Sequence, residues 1–356
     1  MQTLRKVKIE GFKSIASADV PLGDLNVVVG ANGSGKSNLI GVFRLLERVL
    51  SRNLETYVAG EPDRLLHHGR KVTPALGLKL TFERYTYSFK LAAAQSALHF
   101  DFESIEVPTP HSLDGSNFTG HQESKFDIIA NDHRKYLPKS AFAAIRNLTV
   151  HHFHDTSESA AMKRASALHD NRFLRPDAAN LAACLYLLQE KHEVAFRQVE
   201  EHVRLVAPYF DRFILAPSRL NENTIKLEWR QKGSDAYFDG YSLSDGTLRF
   251  ICLATLLLQP APPALILLDE PELGLHPYAI HILAELLEAA SKRSQVLLAT
   301  QSVTLLNQFA PADVLVAENE GGSTRFRRLD EVGLASWLAE FSLGELWEKN
   351  VLGGRP

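Results

Sequence analysis

Apolar positions recur with two different periods along this chain, and the switches between them divide it into stretches of unlike structure. Residues 6–30, "KVKIEGFKSIASADVPLGDLNVVVG", alternate polar and apolar side chains as half-buried strands do, and close on "NVVVG", the continuous run expected of a strand covered on both faces. A glycine-rich turn follows, after which "NLIGVFRLLERVL", 38–50, takes up the helical spacing of three and four. From Pro74 to about Ile129 period two returns, as in "ALGLKLTFERYTYSFKL" and "HFDFESIEV", and predicts an antiparallel sheet laid beside the core. Within it residues 112–124, "SLDGSNFTGHQES", are polar and rich in turn formers and are expected to be a mobile loop. Helical spacing dominates 177–206, with interruptions that predict a packed helical lobe; a long coiled-coil arm needs unbroken heptads. Strands resume at "RFILAP" and "TIKLEW". The last third alternates: a helix after Ser244, the strand "ALILLDE", the helix "PYAIHILAELLEAASK", the strand "QVLLATQS", another helix, and "ADVLVAE". Such alternation predicts a parallel sheet with crossover helices.

Composition narrows the setting. With 356 residues, 45% of them hydrophobic, the chain has room for one large α/β domain or two modest ones. Its 39 Lys and Arg against 42 Asp and Glu give no global argument for a nucleic-acid or membrane-surface partner. Two stretches are locally basic, 65–71 and 162–175, and read as solvated surface or as a face for DNA or an acidic partner. Cys184 and Cys252 lie in apolar helical runs and make neither a disulfide framework nor a zinc site, so a reduced, cytoplasmic setting is expected. The N-terminus lacks the apolar core of a signal peptide, and the longest apolar stretch, 250–270, is broken by three prolines, so no membrane association is expected. Residues 343–356 are an amphipathic piece carrying Trp347 and then a glycine-rich tail, expected to dock on the core or on a partner.

Two stretches carry recognisable chemistry. Residues 30–37, "GANGSGKS", satisfy G-x-x-x-x-G-K-[ST] between a buried strand and a helix. Glycines let the backbone curl so that successive N–H groups face a phosphate, and the helix start adds its positive end. Lys36 is placed to reach the β- and γ-phosphates of ATP, and Ser37 to give Mg²⁺ a hydroxyl ligand. Asn32, Gly33, Ser34, Gly35 and Asn38 complete the candidate nucleotide contacts. In "LILLDEPELGLHP", 265–277, a strand ends in Asp269 and Glu270, at the carboxyl edge where open α/β sheets bind ligands. Asp269 is the candidate Mg²⁺ ligand and Glu270 the general base for the attacking water, helix capping ahead of Pro271 being the plainer use of the pair.

One helix ahead of that strand, Leu243-Ser244-Asp245-Gly246-Thr247 stands where ATPases of the ABC type carry L-S-G-G-Q, and the chain resembles that family. Within it "IEGFKSI", the phosphate loop, the LSDGT turn, "DEPELGLHP" and "ATQS" look like the RecF/SMC/OLD-like branch, and the whole chain is similar to compact bacterial ATPases of the AAA15 or AAA21 type. The resemblance implies an α/β fold: a P-loop ABC-type ATPase head with a mixed or parallel core sheet, an antiparallel β subdomain and a helical lobe. Its expected divisions are 1–150 with the phosphate loop, 151–243 as a helical lobe or insertion, and 244–356 with the signature helix, the carboxylate strand and the rest of the core.

The resemblance also implies that Ser244, Gly246 and Thr247 act in trans, closing over the γ-phosphate on the loop of a second protomer through a hydroxyl, an N–H and a helix start. A plain helix cap is the simpler role for that turn. Asp245 departs from the pattern and either points away from phosphate or competes with it. Gln301 stands where transporter ATPases carry a His; it becomes a γ-phosphate sensor that donates a hydrogen bond and takes no proton, or else a surface amide. His151, His152, His154 and Asp155 fall where the family links its lobes, and read as a nucleotide-sensing loop or as structural histidines; their spacing does not suit a metal cluster. No acidic extension of the nuclease-bearing TOPRIM kind follows the last core strand, so a separate effector protein is expected. The function implied is Mg²⁺-dependent ATP hydrolysis in a homodimer that sandwiches ATP, used as a switch in DNA-linked processes or anti-phage defence. The rival readings are a DNA clamp with little turnover and the ATPase subunit of a transporter.

Overall fold

The two periods in the sequence become two sheets with a helix between them. The computed structural model describes residues 3–108, 113–133, 136 and 139–354. They form two units, one made of Met1–Val150, Pro263–Leu267 and Ser294–Pro356, the other of His151–Pro262 and Leu268–Arg293.

In the first unit β1 (Leu4–Phe12) and β2 (Ile15–Pro21) form a hairpin turned at Lys13 and Ser14. The buried run becomes β3 (Leu25–Val29), and α1 (Lys36–Leu50) and α2 (Leu54–Val58) follow. Strands β4 (Ala75–Phe82), β5 (Thr86–Ala94), β6 (Ala97–Pro108) and β7 (Leu113–Phe118) join the hairpin in an antiparallel sheet of order β2-β1-β4-β5-β6-β7. Two short helices, α3 (Phe126–Asp132) and α4 (Ala143–Arg146), precede β8 (Thr149–His151). The second sheet has the order β17-β16-β3-β15-β14-β8, with β14 (Leu265–Asp269), β15 (Gln295–Ala299), β16 (Val314–Glu320) and β17 (Ser323–Arg328). Here β3 runs parallel to β15 and β16, while β17 returns antiparallel to β16, so the core sheet is mixed. Helices α9 (Val303–Leu306), α10 (Glu331–Leu338) and α11 (Leu343–Glu348) complete the unit. Apolar side chains of α1 share one continuous core with both sheets, which is why its face carries Leu39, Val42, Phe43, Leu46 and Val49 at helical spacing.

The second unit is built on α5 (Leu181–Lys191), α6 (Glu193–Val206), α7 (Asp245–Leu258) and α8 (Pro277–Ser291), with short strands β9 (Ser166–Ala167), β10 (Phe210–Phe213), β11 (Thr224–Ile225), β12 (Glu228–Gln231) and β13 (Tyr237–Asp239). The break at His192 keeps α5 and α6 to 11 and 14 residues, and no long coiled-coil arm occurs among the described residues. No helix among them is long and apolar enough to cross a membrane.

Two expectations need correcting. The stretch 112–124 is not simply a loop: Ser112 lies outside the described residues, but 113–118 are β7, paired with β6 from Pro108↔Leu113 to Glu103↔Phe118. At a sheet edge the neighbour satisfies the backbone on one side, and turn-forming residues are tolerated where solvent takes the other. Period two was also carried too far, since Ile129 is buried in α3.

Candidate nucleotide site

Within the first unit the loop between β3 and α1 is shaped from behind. Gly35 occupies the N-cap of α1 at φ 102°, a left-handed conformation suited to glycine, and no side chain caps the helix. A Cβ at Gly35 would strike the Thr324 hydroxyl. That hydroxyl donates to Ser34 O at 2.9 Å and lies 2.6 Å from Ser14 Oγ, which in turn accepts from Asn38 Nδ2 at 2.7 Å. Thr324 and Ser14 therefore clamp the loop from the side of the β16–β17 hairpin, and no side chain caps the helix start that follows it. Neither residue was expected, since the two are 310 positions apart and only the folded sheets bring them together.

Lys36 is buried and folded onto its own loop, donating to Gly30 O at 2.6 Å and Ala31 O at 2.9 Å. Ser34 is buried too, and its Oγ has no hydrogen-bond partner in the protein, the orphan expected of a phosphate cradle. Asn32, Gly33 and Ser37 are exposed. Gln301 follows β15, whose end is registered on the loop strand by Thr300 N donating to Val28 O at 3.0 Å. The Gln301 side chain is exposed at the same carboxyl edge of the sheet as the phosphate loop, and Ser302 caps α9 behind it.

Strand β14 takes the place next to β15, and its last residues lead into the second unit. Asp269 and Glu270 are half-buried, and Glu270 has φ 45°, a strained backbone for a side-chain-bearing residue that costs about 1 kcal/mol or more. The imidazole of His154 donates from Nε2 to Asp269 O at 2.8 Å. Arg249 ties the neighbouring loops together: its Nε donates to Phe153 O at 2.9 Å, one Nη to His154 O at 3.1 Å and the other to Leu273 O. Burial pulls this guanidinium below its ordinary pKa, with the nearby Asp245 carboxylate opposing. One arginine in the otherwise apolar run of α7 was the signal that could have marked it.

Of the four residues 151, 152, 154 and 155, His154 thus supports the carboxylate strand. Asp155 accepts from Ser157, whose hydroxyl and N–H lower its pKa. No group of three or more His, Cys, Asp and Glu able to hold a metal occurs among the described residues.

The Ser244 hydroxyl caps α7, accepting from Thr247 N at 3.2 Å and lying 2.8 Å from Thr247 Oγ1. Thr247 is buried against Tyr209 OH at 3.1 Å, whereas Ser244 and Asp245 are exposed. Gly246 is held tightly: a Cβ there would come within 2.5 Å of Gly274 O. Asp245 lies 3.9 Å from Lys163 Nζ, a cation that offsets the carboxylate introduced into the turn.

Comparison with known proteins fits this geometry. Residues 25–307 match the AAA_21 family, described as "AAA domain, putative AbiEii toxin, Type IV TA system". No curated protein matches the chain. Among solved structures it is similar to an SMC head bound to the C-winged helix domain of ScpA, at TM-score 0.57 and 16% identity over 93% of this chain and 99% of that one. A second is an Smc head domain with an extended coiled coil from Pyrococcus furiosus, bound to the C-terminal domain of ScpA, at 0.56 and 15% over 96% and 99%. The SMC head domain from Thermotoga maritima gives 0.50 and 16% over 92% and 99%. At such identities the likeness concerns the fold. The family match, in contrast, runs through the phosphate loop, the turn before α7 and the carboxylate strand, and the chain belongs to this AAA_21 family of AAA domains.

Proposed function

We propose that the chain binds and hydrolyses Mg²⁺-ATP at sites shared between two copies of itself, and that closure of the two copies around ATP is a switch controlling a separate effector. The observation that carries this reading is the disposition of the signature turn. Ser244 is exposed at the start of a 14-residue helix, and the charge of Asp245 is offset by Lys163, so the turn is suited to an anion from another molecule.

The loop residues suit phosphate: an orphaned Ser34 hydroxyl, an uncapped helix start, and glycines at Gly30 and Gly35 whose positive φ and close neighbours exclude a Cβ. The Ser37 hydroxyl and the Asp269 carboxylate are each hard oxygen donors, the chemistry Mg²⁺ prefers. When bound, Mg²⁺ supplies positive charge to the phosphate oxygens. Lys36 exchanges its bonds to Gly30 O and Ala31 O for phosphate, and Glu270 orients the water and takes its proton. Gln301 donates to the γ-phosphate, and Ser244 and the Gly246 N–H of the second copy close the far side. Splitting a site between copies links occupancy to dimerisation, which is the requirement for a switch. The toxin–antitoxin wording of the family description supports a place in defence.

Light scattering tests the reading on the Glu270→Gln protein with and without Mg²⁺-ATP. The expected result is an ATP-dependent dimer that Ser244→Arg abolishes. A mass indifferent to both ATP and the substitution overturns the shared-site mechanism.

A further inference from the structure

Residues 343–354 take no part in the chemistry above, yet they run from one phosphate-edge element of the first unit to another. At their start α11 lies close against α9: Gly344 N donates to Asn307 Oδ1 at 2.6 Å, and a Cβ on Gly344 would collide with Val303. Val303 is the first residue of α9, two positions after Gln301. At their end the glycine pair lies beside the phosphate loop. A Cβ on Gly354, which has φ 58°, would sit 2.7 Å from Val316 Cγ1, 3.0 Å from Ala317 O and 3.3 Å from Gly30 Cα. A Cβ on Gly30 would in turn come within 2.3 Å of Ala317 O, and the Gly30 carbonyl holds the Lys36 ammonium at 2.6 Å.

Three bonds fix this end. The fully buried Trp347 donates from Nε1 to Gly354 O at 2.6 Å, Gly354 N donates to Glu318 Oε1 at 2.8 Å, and Arg327 donates to Leu352 O at 2.7 Å. A buried tryptophan with its single donor satisfied has little freedom, so the position of Gly354 is tightly specified.

We propose that residues 343–354 form a clasp that sets the backbone of the phosphate loop at Gly30 and the start of α9 behind Gln301, with Trp347 and Gly354 as positioning residues for the nucleotide. The inference rests on the reading that the loop binds ATP and assigns a role to a segment which that reading leaves idle. The clasp touches no phosphate; it acts through Gly30, whose displacement moves the carbonyl from which Lys36 must be released.

The test is titration with a fluorescent ATP analogue alongside thermal unfolding, on Trp347→Phe, Gly354→Ala and Gly60→Ala. Gly60 has φ 77° with nothing within 4 Å of a Cβ, so it matches Gly354 in backbone conformation and lacks its neighbours. Gly354→Ala is expected to weaken analogue binding about tenfold, by pushing on Val316 and Gly30. Trp347→Phe keeps an aromatic ring and loses the donor, and is expected to weaken binding about fivefold. Gly60→Ala is expected to hold affinity within about twofold even where its melting temperature falls as far as that of Gly354→Ala. Clasp variants that fold and bind as tightly as Gly60→Ala overturn the proposal, and Trp347→Phe decides it alone if Gly354→Ala does not fold. A wild-type chain that fails to bind the analogue, or a Lys36→Met variant that binds it equally well, overturns the ATP reading itself and the clasp with it.

Discussion

The helices α1 and α7 each start at a glycine-bearing turn, and they are finished in opposite ways. The start of α1 has a left-handed Gly35 at its N-cap and no side chain bonded to its N–H groups, while the start of α7 is closed by its own Ser244. An uncapped helix start is less stable by about 1 kcal/mol, so α1 needs support from elsewhere. That support comes from Thr324 and Ser14, which hold the loop from the side of the β16–β17 hairpin. The turn before α7 is satisfied within its own unit, and its exposed hydroxyl can be shared with an incoming anion. One turn is closed by partners from a distant hairpin; the other is closed by its own side chain.

The largest break in this comparison is Gly35→Ala, which forces a strained backbone and pushes a methyl group on Thr324. ATP affinity in an equilibrium titration is expected to fall by about tenfold to hundredfold, against about twofold or less for Ser244→Ala. Equal losses at the two sites would erase the distinction. Ser244→Ala is expected instead to lower stability by about 1 kcal/mol in urea unfolding. Ser244→Asp restores that stability as an N-cap but, with its charge, not ATP-driven dimerisation in light scattering.

Thr324→Val sharpens the comparison more gently. It keeps the shape and removes the hydroxyl from Ser34 O, and a loss of about threefold to fivefold in ATP affinity is expected, corresponding to about 1 kcal/mol. The smallest effect concerns pH. Glu345 reaches back to Ser342 in a capping box at the start of α11, and the Ser342 N–H and then its hydroxyl hold its carboxyl below the ordinary 4.5. Because the folded value is depressed, this contribution is fully present above 4.5 and is lost as pH falls through the lower folded value. The melting temperatures of the wild type and Glu345→Gln should differ at about pH 6 and draw together as pH falls below 4.5.

What was legible in the sequence was local or periodic. The phosphate loop, the carboxylate strand and the alternating elements of the last third each fit in a short window, and each is present as an element in the structure. What stayed hidden depends on distant partners. Thr324 is an ordinary strand residue until the hairpin of β16 and β17 lays it beside Ser14 and Gly35. Likewise Arg249 gains its role from carbonyls of Phe153, His154 and Leu273, and the turn-rich 113–118 become a strand because β6 offers an edge. The core sheet is mixed, one of the two forms expected, and the strand that makes it so is β17, which charged residues such as Arg325, Arg327 and Arg328 disguise.

The placement of β3 between β15 and β16 also has a bearing on how the chain is made. Leu25 pairs with Val296, and Val27 with Val314. At roughly 5–20 residues per second a ribosome takes tens of seconds to supply those neighbours after β3 has emerged. Until then the apolar strand "LNVVV" is unpaired and needs shelter, and the loop that follows it lacks Thr324 against its outer side. The clamped form of the loop between β3 and α1 is therefore among the last features the nascent chain acquires, and products interrupted before β17 lack it.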